Sequence, residues 1–360
     1  MYIFAIESSC DETSASVIEA SEDTLNVLSN VVASQIAIHA LYGGVVPEIA
    51  SRAHCEAITS VAREAIDESG ISLSDISCVA VTFAPGLIGS LLVGVNFAKS
   101  LSSTLGVPLV PVNHIEGHIA AAYLENKELT TPYLALVVSG GHTSLYEVKE
   151  HSEFVEIGST RDDACGEAFD KVGRVMGLPY PGGAAMDALA TSAFEKLGTS
   201  QSKLIFPSPA VNDDSLDYSF SGVKTAVINF INTEKQKNKT DTLPEETREM
   251  VAGAFTKTVC DGITKKLALA LRQTNADTLV LAGGVAANSH LRSSVASLCE
   301  KMNVKFVVPS KKLCGDNAAM IGAAAYHLYK KGIFADSSLN AYASDESAED
   351  YIRKLKSNIH

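Results

Sequence analysis

The chain has no run of eighteen apolar residues. Its longest candidate, Leu87 to Ala98, is broken by Gly89, Gly94 and Asn96, so no membrane-spanning helix is expected. Met1 to Ser9 carries no basic leader and too short an apolar core for a signal peptide. Cys-x-x-Cys is absent. The seven cysteines (Cys10, Cys55, Cys78, Cys165, Cys260, Cys299 and Cys314) are odd in number and scattered. That pattern predicts reduced thiols in the cytoplasm rather than a disulfide framework or a cysteine zinc site. Positive charge is scarce: 29 Lys and Arg stand against 42 Asp and Glu, a formal net charge of −13. Such a surface argues against a nucleic-acid binder acting alone, because phosphate contacts need cations. A local basic patch or a basic partner would overcome this. Neither Gly-x4-Gly-Lys-Ser/Thr nor a Gly-x-Gly-x-x-Gly after a strand occurs, so two common nucleotide folds are not indicated.

What the chain does have is Asn113-His114-Ile115-Glu116-Gly117-His118, which follows the apolar run Val107 to Val112 and opens a helix. Histidines four apart share a helix face and can share one ion. Imidazole suits zinc, iron, nickel and copper, so a third ligand from elsewhere would complete a transition-metal site. The competing reading is a pair of surface or core histidines. Glu116 lies two residues after His114, roughly 200° round the helix. It therefore points away from an ion held by the pair, which makes a poor metalloprotease.

Read in order, the chain repeats itself. Strands fit Tyr2 to Ile6, Ser14 to Ile18 and Leu25 to Ala33, and a helix follows Pro47. Then come the strand Cys78 to Phe83, a tight loop, the helix Ser90 to Leu105, the strand Val107 to Val112 and the histidine helix. The second half offers strands at Tyr133 to Val138, Thr143 to Val148 and Phe154 to Gly158. Helices follow at Gly166 to Met176 and Glu245 to Leu271. The strand Thr278 to Leu281, the helix Asn288 to Lys301, the strand Lys305 to Val308 and the helix Asp316 to Tyr329 complete it. Ile3 and Leu134 are 131 positions apart, whereas Val79 and Leu279 are 200 apart. The second half thus holds about 69 extra residues, mostly in the polar stretch Thr191 to Glu246. The expected organisation is an N-terminal lobe over 1–131 and a C-terminal lobe over 132–330. The latter carries a mostly helical insertion at about 191–246, and 331–360 forms an acidic, mobile or loosely docked tail. In this repeat the unit bearing His114 and His118 corresponds to the one bearing Asp316. Two lobes packed with approximate two-fold symmetry would bring these helix starts together across a cleft. Asp316 is then the natural third ligand, although by itself it reads as a helix N-cap.

Three glycine turns bear on phosphate binding: Val137-Val138-Ser139-Gly140-Gly141, Ala282-Gly283-Gly284 leading to Asn288, and Pro181-Gly182-Gly183 with Asp187 four residues on. Exposed backbone N–H groups and helix starts favour anions. A Gly-Gly turn is usually only a turn, but three in one half, each at a strand end, suit a nucleotide cradle. Asp170 would take ribose hydroxyls, or else pair with Lys171 or Arg174. Asp11 and Glu12, adjacent in the first turn, are either solvated or act in a cleft as a general base or on a cation.

Taken together, Glu7-Ser8-Ser9-Cys10-Asp11-Glu12-Thr13, the His-Ile-Glu-Gly-His helix, Ser139-Gly140-Gly141-His142-Thr143, Gly166-Glu167-Ala168-Phe169-Asp170-Lys171, Phe220-Ser221-Gly222-Val223-Lys224-Thr225 and Gly315-Asp316-Asn317 resemble the bacterial TsaD family. The likeness runs from about residue 2 to 330. It implies an α/β actin/sugar-kinase/Hsp70-like (ASKHA) fold of duplicated ribonuclease-H-like lobes with a cleft between them. It implies transfer of a threonylcarbamoyl group from threonylcarbamoyl-AMP to N6 of the adenosine 3′ of the anticodon in tRNAs reading ANN codons. His114, His118 and Asp316 would hold Fe(2+) or Zn(2+). Val137, Val138, Ser139, Gly140, Gly141, Asp170, Gly183, Asp187 and Asn288 would line the adenylate site, an AMP- or ATP-like nucleotide pocket. Asp11 and Glu12 resemble the acidic pair considered catalytic or metal-linked. Implied partners are tRNA, a TsaB-like paralogue, a TsaE-like ATPase and a TsaC-type synthase that makes the donor, with a homodimer also open. Arg52, Lys224, Lys311 and Lys312 are the local basic candidates for tRNA. The rivals are a small-molecule kinase of the same superfamily, in whose chemistry the histidine pair has no role, a metalloendopeptidase, and a non-catalytic scaffold.

Overall fold

A computed structural model of the chain describes residues 1–22, 24–197 and 204–357. Residues 198–203, within the polar stretch Thr191 to Glu246, and the last three residues of the expected tail lie outside the described residues. Two compact units emerge. The first comprises Met1–Thr131, Glu150–Phe154 and Pro309–His360; the second comprises Pro132–Lys149 and Val155–Val308.

The first unit opens with β1 (Tyr2–Glu7), β2 (Glu12–Ala20) and β3 (Leu25–Ser34), followed by α1 (Ile36–Ala40) and α2 (Pro47–Ser69). Next come β4 (Ile76–Ala84), α3 (Ile88–Leu105), β5 (Leu109–Asn113) and the short histidine helix α4 (His114–Ala120). The strands order as β3-β2-β1-β4-β5. β1 and β2 are antiparallel, as are β2 and β3, whereas β1–β4 and β4–β5 are parallel. β1 is central and buried along almost its whole length, which explains why Tyr-Ile-Phe-Ala-Ile shows no polar alternation. Pro47 at the first position starts α2, and Gly70, at φ 72°, ends it in the left-handed conformation.

The second unit repeats the pattern. β6 (Tyr133–Val138), β7 (Thr143–Glu150) and β8 (Glu153–Ser159) lead to helices α5 (Cys165–Val175), α6 (Gly182–Leu197), α7 (Ser221–Asn238) and α8 (Glu245–Thr274). Then follow β9 (Thr278–Ala282), α9 (Ser289–Met302) and β10 (Lys305–Val307). The order β10-β9-β6-β7-β8 reproduces that of the first sheet, and β6 pairs antiparallel with β7 and parallel with β9. Part of the extra length, residues 204–220, lacks regular helix and is pinned by charge. Lys266, 2% exposed, donates to the carbonyls of Asp213 and Ser215 at 3.1 and 2.5 Å, and Arg161 pairs with Asp213 and Asp217.

Two expectations are corrected here. Residues 309–330 were assigned to the second lobe, but α10 (Ala318–Lys330) belongs to the first. The reason is its composition: Ala, Met, Ile and Gly cover one helix and let it lie on β1 and β2, where Gly322 rests against Ile18. Residues 331–360 were expected to be mobile or loosely docked. Instead Leu339 and Ala341, together with Ala348 of α11 (Asp345–Ser357), are buried in the first unit's core. Spacing of small residues hid this, because a serine-rich acidic stretch gives little hydrophobic signal.

The close approach of α10 is testable. A β-carbon on Gly322 would stand 2.5 Å from Cγ1 of Ile18, so Gly322→Val should lower stability by about 1–3 kcal/mol. Thermal melting followed by circular dichroism measures it; an unchanged midpoint would contradict the packing.

Candidate metal centre and glycine loops

β5 ends in Asn113, whose side-chain oxygen accepts from the N–H groups of Ile115 at 2.8 Å and Glu116 at 3.2 Å, capping α4. The cap starts the helix at His114, so His114 and His118 project one above the other. Their rings meet edge to face at 4.6 Å between centroids. Asp316, just before α10, brings Oδ1 to 3.2 Å from Nε2 of His118 and 3.7 Å from Nε2 of His114. One donor atom from each of the three lies within 4.8 Å of the others. All three residues belong to the first unit. The expectation that the carboxylate would arrive from a second lobe across a cleft is therefore corrected: the chain returns to the first unit at Pro309, and Asp316 comes with it.

The donor set fits a divalent transition ion. Both ring nitrogens of His118 are buried without a hydrogen bond, a costly state that coordination through Nε2, the nitrogen 3.2 Å from Asp316 Oδ1, would relieve at that atom. His114 is held from behind. Its Nδ1–H donates to Oε2 of Glu7 at 3.1 Å, with Oγ of Ser9 at 3.2 Å, which leaves Nε2 towards Asp316. A carboxylate behind a ligating imidazole fixes its tautomer and raises its basicity. Burial disfavours charge on His114, but Glu7 and Asp316 outweigh it and lift its pKa to about 9. Glu7, fully buried, is pushed up by burial and pulled below the usual carboxylate range overall by His114. It also accepts from Oγ1 of Thr82 at 2.6 Å and from the Ser9 N–H at 2.5 Å.

Asp11 and Glu12 lie in the turn into β2 and at its first residue. Burial first, then Asp316 and Asp11, hold the Glu12 carboxyl up at about 10. Asp316 thus gathers acids as well as imidazoles. The turn is clamped by His54 of α2, which meets Oγ1 of Thr13 at 2.7 Å and the Cys10 carbonyl at 2.9 Å. Glu7 and His54 were not singled out in the sequence. The signal for Glu7 was present: a carboxylate closing an otherwise apolar central strand needs a buried partner.

In the second unit, Val137 and Val138 are buried at the end of β6 and lead into a turn. There the Ser139 N–H donates to the His142 carbonyl at 2.8 Å, and the His142 N–H to Oγ of Ser139 at 3.0 Å. Gly140 and Gly141 are exposed at its tip. Gly166 opens α5 so close to this turn that a β-carbon would stand 2.6 Å from the Ser139 carbonyl. Gly283, at φ +90°, would collide with the Val138 carbonyl if substituted, so the second glycine turn packs directly on the first. Asp170 accepts from the Gly182 N–H at 2.7 Å, beside Gly183 at the start of α6. Pro181-Gly182-Gly183 therefore opens a helix, and the expectation that it sits at a strand end is corrected. Asp187, from α6, accepts from the Ser289 N–H at 3.1 Å and its Oγ at 3.0 Å, while Asn288 caps α9 through the Leu291 N–H at 2.9 Å. The positive end of α9 thus already faces a carboxylate of the chain itself. Among the basic candidates, Lys224 pairs with Asp163 and Arg52 with Glu48, whereas Lys311 and Lys312 are exposed.

With this geometry in hand, comparison with known proteins is specific. The model of the family TsaD: tRNA N6-adenosine threonylcarbamoyltransferase matches residues 26–323, leaving residues 1–25 and 324–360 outside the match. A tRNA N6-adenosine threonylcarbamoyltransferase of Clostridium novyi (strain NT) is 49% identical over 340 residues, 94% of this chain and 96% of the relative. Among solved structures, T. kodakarensis HypF superposes with a TM-score of 0.60 at 13% identity. It covers 94% of this chain but 48% of HypF, so the chain spans about half that protein's length. Full-length HypF in a phosphate- and nucleotide-bound form gives 0.59 at 13% identity, over 91% of this chain and 46% of that one. The repeated sheets are those of the ASKHA fold.

The buried carboxylate yields a prediction. Glu7→Ala leaves the Ser9 N–H and the Thr82 hydroxyl without their acceptor and His114 Nδ1 with only Ser9 Oγ, and should cost at least about 2 kcal/mol. Urea unfolding measures this; a wild-type midpoint would show that Glu7 bears none of these bonds.

Proposed function

The chain belongs to the TsaD family, the tRNA N6-adenosine threonylcarbamoyltransferases, and on that premise we propose how its residues divide the work. The activity is transfer of a threonylcarbamoyl group to N6 of an adenosine in tRNA. Neither a kinase nor an endopeptidase is favoured beside it; helix geometry turns Glu116, two residues from each histidine, away from the donors, which is unlike a metalloprotease base.

We assign threonylcarbamoyl-AMP as donor and the adenosine 3′ of the anticodon, in tRNAs reading ANN codons, as acceptor. N6 attacks the carbamoyl carbon and the new C–N bond forms. The bond from that carbon to the phosphate oxygen breaks, AMP leaves with the electron pair, and N6 gives up one proton. An exocyclic aromatic amine is a weak nucleophile, so the demand is for polarisation of the acyl group and for a good leaving group. Fe(2+) or Zn(2+) bound by His114, His118 and Asp316 would supply Lewis-acid polarisation of a donor oxygen. Glu7 orients His114, and His54 keeps the Asp11-Glu12 turn in place. Asp11, or water beside it, receives the N6 proton, whereas Glu12, its carboxyl held up at about 10, keeps its own proton near neutral pH and does not serve as the base. Val137 to Gly141, Asp170, Gly183, Asp187 and Asn288 are assigned to the adenylate; the exposed N–H groups of Gly140 and Gly141 suit phosphate oxygens. The observation that carries the reading is the meeting of two imidazoles and a carboxylate at one point in a chain of this family.

A net charge of −13 gives tRNA little to hold on this chain alone, which supports a composite surface built with a TsaB-like paralogue and a TsaE-like ATPase. A TsaC-type synthase would supply the donor, and a homodimer is the alternative assembly. Among the described residues no helix is long and apolar enough to cross a membrane, and all seven cysteines are free thiols. Both suit work in the cytoplasm.

Two outcomes test this. His114→Ala should abolish transfer to tRNA in a reconstituted assay, whereas full activity would refute the site. In cells depleted of the protein, nucleoside mass spectrometry should show threonylcarbamoyladenosine lost from tRNA; its retention, with no second enzyme present, would overturn the functional assignment.

A further inference from the structure

The C-terminal segment touches both sides of the histidine helix's entrance. On one side, Nδ2 of Asn113 donates to Oδ1 of Asp345 at 2.6 Å. On the other, the Tyr342 N–H donates to the Phe83 carbonyl at 2.9 Å and the Gly86 N–H to the Ala343 carbonyl at 3.3 Å. Gly86 is pressed against Ser9, and the Leu87 N–H donates to the Ser9 carbonyl at 2.8 Å. Ser9 in turn meets His114. Phe83, Tyr342 and Tyr351 form an aromatic trio with centroids 5.9–6.1 Å apart, Phe83 meeting Tyr342 edge to face and the other two pairs tilted. Ala348, fully buried, fastens α11 beneath them. The loop that backs His114 and the cap that starts its helix are thus both held by residues 342–345.

The Asp345 contact does more than add a bond. An amide can turn either its oxygen or its nitrogen to the helix start, and only the oxygen accepts from the Ile115 and Glu116 N–H groups. A carboxylate facing Nδ2 settles the orientation, because a carboxylate accepts and does not donate. α4 is seven residues long, and so short a helix has little propagation to offset a lost cap. We propose that Asp345 is a positioning residue for the metal centre. It fixes the Asn113 amide, and with it the first turn of α4 and the direction of His114, while the segment 339–357 acts as a strap over that entrance. This rests on the metal reading given above, but the brace itself can be observed without metal.

The test uses the full chain as wild type, Asp345→Ala, Asp345→Asn and, as a control on the same helical turn, Glu346→Ala. Two readouts are taken: hydrogen exchange of the metal-free protein at Ile115 and Glu116, and cobalt(II) titration followed by visible absorption. Asp345→Ala should speed exchange at both amides, weaken cobalt binding about tenfold and alter the ligand-field bands. Asp345→Asn keeps an acceptor oxygen and should restore all three, and Glu346→Ala should match wild type. Wild-type exchange in Asp345→Ala overturns the brace. Faster exchange with wild-type cobalt affinity and bands overturns its role at the metal centre. Wild-type protein that takes up no cobalt removes the metal reading and the positioning role with it, while the exchange data still decide whether the brace exists.

Discussion

A carboxylate that water cannot reach sits at the end of the central strand of the first sheet, and the neighbourhood is arranged to make that tolerable. Burying Glu7 unpaired would cost several kcal/mol. A hydroxyl from β4, a backbone amide from the following turn and an imidazole from α4 all point at it. The imidazole, once committed through Nδ1, has one free nitrogen, and that nitrogen faces His118 and Asp316. The order of dependence runs from strand end to buried acid to oriented histidine to candidate metal centre. The same acid that restrains the fold also sets the direction of the His114 ring.

The second unit follows a different rule. Its functional candidates are mostly backbone, and close approach governs them: Gly166 lies on the Ser139 turn and Gly283 on Val138. Side chains such as Asp187 and Asn288 hold helix starts in position. Asp187 therefore carries a structural load that any adenylate bound nearby must share.

Much of this was legible in the chain. β6 begins and ends where its apolar run does, the duplication is written in matching strand–turn–strand signals, and His-x-x-x-His announced a shared face. What failed was the origin of Asp316. The repeat argument placed it in the opposite lobe, because sequence order was read as spatial membership. α10 instead joins the first sheet through Ala, Gly and Met, small or pliant residues whose preference for a particular surface has no periodic signature. The tail escaped for a related reason: its anchors, Leu339, Ala341 and Ala348, are sparse among serine and acid. Glu7 closes an apolar central strand, which signals a buried acid, but its partners Thr82 and His114 lie 75 and 107 positions away and carry no local signal.

The central claim is that a single unit of this protein gathers His114, His118 and Asp316 around one ion oriented from behind by Glu7. X-ray absorption at the metal edge, on protein purified without oxygen, tests it directly. The account predicts one transition ion per chain with two imidazole nitrogens and a carboxylate oxygen in its coordination shell. An ion bound without imidazole, or no stoichiometric metal at all, would contradict it.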